Sequence, residues 1–231
     1  MKILGIDTSG PQASVALVEG GEVRAEVCLP AGSRASREAL PAVERVIEAA
    51  GIGIDAVDGF AAVSGPGSFT GLRVGLATVR GLALATGRPA AGFCALELLA
   101  RRVPTVPGGV CALIDAGRGE VYVGVYEDPD GGRRCTGGYR LLSAAAAAGI
   151  AARCTCIGPG FELVRPYFEA GARPGVVPHP AALAADAARR MEQILAAGDK
   201  IAPESLRPLY IRPSQAESRE SWRPTPSRSG A

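Results

Sequence analysis

Asp7-Thr8-Ser9 ends an apolar N-terminal run, Ile3-Leu4-Gly5-Ile6. A carboxylate followed by two hydroxyls at a strand end could hold a magnesium-bound phosphate, the carboxylate through water and the hydroxyls directly. Asp115-Ala116-Gly117 ends a second such run, Val110-Cys111-Ala112-Leu113-Ile114, and offers similar chemistry. Between the two lies Ser64-Gly65-Pro66-Gly67-Ser68-Phe69-Thr70-Gly71, set between apolar Phe60-Ala61-Ala62-Val63 and an alanine- and leucine-rich run from Leu72 to Ala85. This reads as strand, glycine loop and helix start, with Ser68 or Thr70 as the cap. Amides at a helix N-terminus make an anion site. No Lys follows Gly71, so the side chain that would reach a terminal phosphate is missing and this is not a P-loop.

A plainer reading stands beside each motif. An Asp at a strand end accepts turn amides, and the glycine loop is a helix start with close packing. Asp7 is followed by Pro11 and Gln12 rather than by glycines and a Lys, which favours the plain reading over ATP hydrolysis. Asp7, Thr8, Ser9, Asp115 and Gly117 are therefore candidates for a vestigial nucleotide site.

His179, between Pro178 and Pro180, is the lone histidine. A histidine-based metal site is nearly excluded, and any general base would be Asp or Glu. The cysteines, at 28, 94, 111, 135, 154 and 156, lie mostly inside apolar runs of a 231-residue chain that needs no disulfide staples. Buried free thiols are expected, with Cys154 and Cys156 on one face of a strand. With 47% apolar and 21% charged residues the chain should build a globular core. Its net charge of +2 is too small to imply nucleic-acid binding by charge alone. Gly, Pro or Arg interrupts each apolar run before membrane-spanning length, and the N-terminal run lacks the long apolar region of a signal peptide. The expectation is a cytoplasmic chain with no membrane partner.

The elements that position these residues follow from spacing. Strands are predicted over Ile3 to Thr8, Ala13 to Glu19 and Glu22 to Leu29, joined at Gly10-Pro11 and Gly20-Gly21. A helix from about Ser36 to Ala50 carries Leu40, Val43 and Ile47 at helical spacing; Pro41 in its first turns makes it start later or kink. Strand 59–64, the glycine loop, a helix to about Thr86 and strand 90–94 follow. The order βββαβα is that of half an actin-like or ribonuclease H-like domain.

The second half repeats the pattern. Val110 to Asp115 mirrors Ile3 to Asp7, an alternating strand runs from Glu120 to Tyr126, and Ile157-Gly158-Pro159-Gly160 echoes Ser64-Gly65-Pro66-Gly67. A duplicated α/β unit explains both landmarks. Chance remains the alternative in a chain with 31 Gly and 18 Pro. Helices are expected near 143–149, 161–170 and 180–197. The division is an N-terminal lobe over 1–104, a C-terminal lobe over 105–212 and a Ser-, Arg-, Pro- and Glu-rich tail over 213–231 expected to be disordered.

The helix after the glycine loop has Arg73 and Arg80 as its only charges between Gly71 and Thr86. Leu72, Leu76, Val79 and Ala83 make one apolar face, Gly71 and Gly75 a second, and Ala77, Gly81 and Ala85 a third. A helical glycine costs about 1 kcal/mol relative to Ala, so close approach should explain it. So narrow a polar face implies burial on more than one side. Either one side faces a partner, or the helix is fully buried within this chain.

Ile3 to Ser9, Ser64 to Arg73, Asp115-Ala116-Gly117-Arg118-Gly119-Glu120-Val121-Tyr122 and Pro208-Leu209-Tyr210-Ile211-Arg212 together resemble the TsaB (YeaZ) family, in order over about 1–212. The resemblance implies a two-lobed actin-like (ASKHA) fold. It implies a non-catalytic subunit of the bacterial machinery that makes threonylcarbamoyladenosine in tRNA. Its implied partners are a TsaD-like catalytic subunit, which shares the glycine block, and a TsaE-like ATPase. A homodimer in isolation would compete with the TsaD pairing, and tRNA would be contacted indirectly, through the complex. No cofactor of its own is implied, with nucleotide binding confined to a partner interface. TsaD-like chains carry two metal-binding histidines one helical turn apart, shortly after the glycine-block helix. Ala95 and Leu99 stand at those positions here, and neither ligates a metal. Ala35 stands where the family often has a histidine. The implied pairing surface takes in Leu40, Val43 and Ile47 of the first helix, and Gly67, Ser68, Phe69, Thr70, Gly71, Arg73, Gly75, Leu76, Ala77 and Arg80 of the glycine block and its helix.

The alternative is an autonomous actin-like ATP-using enzyme, or a glycoprotease-like hydrolase, which Ala95 and Leu99 disfavour. Arg207, Arg212, Arg219, Arg223 and Arg228 raise direct tRNA contact. Glu204, Glu217 and Glu220 interleave them, which favours a solvated tail.

Overall fold

The computed structural model describes residues 1–29, 35–128, 133–169, 175–177, 182–199, 201 and 203–212. His179 and the 213–231 tail lie outside them.

The first sheet contains β1 (Lys2–Asp7), β2 (Ala13–Glu19), β3 (Glu22–Leu29), β4 (Gly59–Gly65) and β5 (Ala90–Cys94). Its helices are α1 (Ala35–Ala49), α2 (Phe69–Thr86) and α3 (Ala95–Arg101). The second sheet contains β6 (Val110–Gly117), β7 (Glu120–Glu127), β8 (Arg134–Ser143), β9 (Thr155–Ile157) and β10 (Gly175–Val177). Its helices are α4 (Ala144–Ala151), α5 (Phe161–Val164) and α6 (Ala184–Ala196).

Strand order is β3-β2-β1-β4-β5 in one sheet and, read in the same sense, β8-β7-β6-β9-β10 in the other. In each, the first three strands pair antiparallel and the last two add in parallel. The duplication expected from the Ile-Asp and Gly-Pro-Gly landmarks is thus present as topology. Gly65 and Gly158 occupy the matching strand end, at φ of 122° and 114°.

Alternation on β1 explains the layering. Leu4 and Ile6 join a core with Val43 and Val46 of α1 and Leu76 and Val79 of α2. Ile3 faces the opposite core, shared with Ala184, Ala187, Ala188 and Met191 of α6, Leu96 and Leu99 of α3, and Ala112, Tyr126 and Ile157 of the second sheet. A third core packs Cys111, Leu113, Val121 and Cys156 against Ala147 and Ala151 of α4 and Phe161 of α5. Alternation puts an apolar set on each face, so both sheets are covered on both sides.

Some expectations needed correction. α1 runs through Pro41 from Ala35 instead of starting late; Pro41, its seventh residue, leaves the Arg37 carbonyl without its intrahelical donor. Helix 161–170 is only α5 and a 3₁₀ turn over Arg165–Tyr167, because Pro166 interrupts it. Cys154 lies just before β9. The cysteines are free, but Cys28 is exposed and Cys135 is half-buried. The segment after 182, numbered with the second half, returns to the first sheet: α6 packs on β1, β2 and β4.

Candidate functional site

Asp7 is buried at the end of β1. Its Oδ1 accepts from the Ser9 amide at 2.8 Å and from Ser9 Oγ at 2.6 Å. Its Oδ2 accepts from the amide of Leu183, the residue capping α6, at 3.2 Å. Burial pushes its carboxyl above the ordinary aspartate range; the Ser9 bonds, the Leu183 amide and the Arg102 charge oppose that push. Thr8 Oγ1 donates to the Gly71 carbonyl at 2.6 Å. The carboxylate and hydroxyl expected to meet a phosphate therefore join β1 to α6 and α2. Asp115 is exposed, and its Oδ1 accepts from the Gly117 amide at 2.6 Å, which is the plain turn-acceptor role.

Ser68 caps α2: its Oγ accepts from the Gly71 amide at 3.2 Å. Its own amide donates to the Ser9 carbonyl at 2.7 Å. These bonds turn part of the expected anion cradle inward. A Cβ on Gly67 would lie 2.3 Å from the Ser9 carbonyl oxygen, one on Gly71 1.9 Å from that of Thr8, and one on Gly75 2.4 Å from Thr8 Oγ1. These glycines let the first turns of α2 lie directly on the turn after β1.

That placement corrects part of the expected pairing surface. Gly71, Gly75, Leu76 and Val43 are buried in the chain's own core and present nothing to a partner. Gly67 and Ile47 are half-buried. Leu40, Ser68, Phe69, Thr70, Arg73, Ala77 and Arg80 are exposed. Gly81, Leu84 and Ala85 extend this outer face; Leu84 is 79% exposed, and a Cβ at Gly81 would meet nothing within 4 Å. The Ala77-Gly81-Ala85 stripe pointed there, because Leu84 sits seven residues beyond Ala77 on the same face.

Three of the exposed candidates already hold the C-terminal segment. Tyr210 stacks on Phe69 with ring centroids 4.8 Å apart, and the Arg73 guanidinium lies 3.9 Å from the Phe69 centroid. Arg73 Nε donates to the Tyr210 hydroxyl at 3.0 Å, and Arg80 donates to the Leu206 carbonyl at 2.9 Å. The Pro208-to-Arg212 motif thus docks on the body of the chain, as its contrast with the following tail suggested.

Ala95 and Leu99 lie on α3, both buried in the core between the sheets. Among the described residues, no group of three or more His, Cys, Asp or Glu side chains is placed to hold a metal ion. No helix among them is long and apolar enough to cross a membrane.

Residues 30–160 match the family model described as TsaD: tRNA N6-adenosine threonylcarbamoyltransferase. The solved structure of YeaZ from Pseudomonas aeruginosa superposes with a TM-score of 0.72 at 30% identity, covering 90% of this chain and 99% of that one. The chain belongs to the TsaB (YeaZ) family. The tRNA threonylcarbamoyladenosine biosynthesis protein TsaB of Escherichia coli is 37% identical over 134 residues, 57% of this chain and 58% of that protein. The TsaB of Bacillus subtilis is 32% identical over 131 residues, 57% of each chain. The chain thus spans somewhat more than half the length of these curated TsaB proteins. Its two-sheet architecture is that of the YeaZ structure.

Proposed function

We propose that this chain is a non-catalytic subunit of a complex that transfers a threonylcarbamoyl group from its adenylate to the tRNA adenosine next to the anticodon. It would pair with a TsaD-like catalytic subunit, alongside a TsaE-like ATPase. The observation that carries this reading is the outer face of α2. Ala77, Gly81 and Ala85 form a small-residue stripe that lets another backbone approach closely, and Leu84 stands 79% exposed beside it. α1 packs alongside, with Leu40 54% exposed. An apolar face of this kind suits association. Membership in the TsaB family and the match to the TsaD-type model support the choice of partner.

In the transfer, the adenosine amine attacks the carbamoyl carbonyl and the nucleotide leaves. This chain contributes no metal ligand at Ala95 or Leu99 and no accessible carboxylate at Asp7 to that step; its part is to hold the transferring subunit. In isolation the same face would pair two copies, so homodimer and heterodimer compete. tRNA is reached through the complex, nucleotide only at a partner interface, and the complex works in the cytoplasm.

Co-purification with TsaD- and TsaE-like subunits tests this. Ala77→Arg and Gly81→Arg should abolish capture while leaving the fold intact. Unaltered capture by both would overturn the assignment, as would ATP turnover by the chain alone that is lost on Asp7→Asn.

A further inference from the structure

The segment from Ser205 to Arg212 crosses from one sheet to the other. The Leu209 amide donates to the Ser64 carbonyl at 2.7 Å, and the Gly92 amide donates to Ser205 Oγ at 3.3 Å, so the segment lies against the end of β4 and the middle of β5. Glycines clear its path: a Cβ on Gly65 would come 2.7 Å from the Leu209 carbonyl oxygen, and one on Gly92 2.1 Å from that of Ser205. Tyr210 and Leu206 then fix it to Phe69, Arg73 and Arg80 of α2. At its far end Arg212 donates to the Ala116 carbonyl at 3.0 Å and pairs with Glu120, both on the β6–β7 hairpin that carries Asp115.

The two attachments are unequal. On the first sheet and α2 there are the Leu209–Ser64 backbone bond, the Gly92–Ser205 bond, a stacked ring pair and hydrogen bonds from Arg73 and Arg80. On the second, Arg212 bonds one carbonyl and forms one ion pair, and Ile211 packs against the core between the sheets. The side chains of that pair are 30% and 38% exposed. A pair so exposed contributes little and is screened by salt.

We infer that residues 205–212 form a latch that ties the first sheet to the β6–β7 hairpin, seated on the first sheet and released at Arg212. Release frees the Ala116 carbonyl and the Glu120 carboxylate. The latch rests on no assumption about what covers the outer face of α2.

Hydrogen exchange of the full chain, read by mass spectrometry, tests it. Arg212→Ala should speed exchange over 116–120 by roughly tenfold, as expected for a local opening, and leave 64–73 protected. Tyr210→Ala should speed both stretches, and added salt should reproduce the Arg212→Ala pattern in the unaltered chain. The latch is overturned if Arg212→Ala leaves 116–120 unchanged, or loosens 64–73 equally. Neither readout depends on capture of a TsaD-like partner, so failure of one proposal is distinguishable from failure of the other.

Discussion

Gly71 and Gly81 occupy one helix and should respond to the same substitution with opposite signs. A Cβ at Gly71 would meet the Thr8 carbonyl oxygen at 1.9 Å, and the backbone there cannot yield cheaply. Gly71→Ala should cost about 1–3 kcal/mol, the range of overpacked sites. Gly81 faces open space, so Gly81→Ala should stabilise by up to about 1 kcal/mol through helix propensity alone. Urea unfolding of the two variants checks both. Asp7 gives a pH prediction. Its folded pKa is raised by burial, so its contribution is fullest below the ordinary aspartate value near about 3.9 and is lost as pH rises through the raised value. Asp7→Asn should flatten that part of the stability profile, measured by unfolding across a pH series. Asp128 works in the opposite sense. Hydrogen bonds from Arg133 hold its carboxyl below the usual range. Its contribution is therefore present above that range and lost as pH falls. At this scale the cap at Ser68 and the need for close approach at Gly71 and Gly75 were readable from residue types. What the glycines approach was not, because Thr8 is 63 residues from Gly71 in sequence.

α2 shows how far a helix can be read in advance. Its start followed from the glycine loop and its three faces from spacing; it ends before Gly87, which is in the αL conformation. Which face stays outside depended on where β1 and α6 lie, and no helix carries that information by itself. α3, β8 and β10 escaped notice for separate reasons. α3 is a seven-residue helix, too short for a clear period and apolar on most sides because it lies between two sheets. β8 is half-exposed and interrupted by Gly137 and Gly138 at positive φ, which breaks the alternation that marks a strand. β10 is three residues long. The outer face of α2 supplies the prediction at this scale. Leu84→Ser should leave the unfolding midpoint nearly unchanged, within about 0.5 kcal/mol as for surface positions. It should weaken self-association measured by analytical ultracentrifugation; an unchanged dimer constant would remove Leu84 from the interface.

The molecule as a whole is two copies of one strand order, with α3 and α6 packed between them and α1, α2, α4 and α5 outside. The duplication was legible because each copy places an Asp at the end of its first strand and a Gly-Pro-Gly after its fourth. The closing of the first copy's site was not. It depends on the Leu183 amide reaching Asp7 and on Leu209 reaching Ser64, contacts between distant segments. Asp7 and Thr8 are turned inward onto α6 and α2, while the outer face of α2 stays exposed. Reconstituted tRNA modification with TsaD- and TsaE-like subunits tests the proposed role of that face most directly. The account predicts no threonylcarbamoyl transfer without this chain, transfer when it is added, and loss of transfer with a folded Gly81→Arg variant. Full activity of that variant, or transfer by this chain alone, would contradict it.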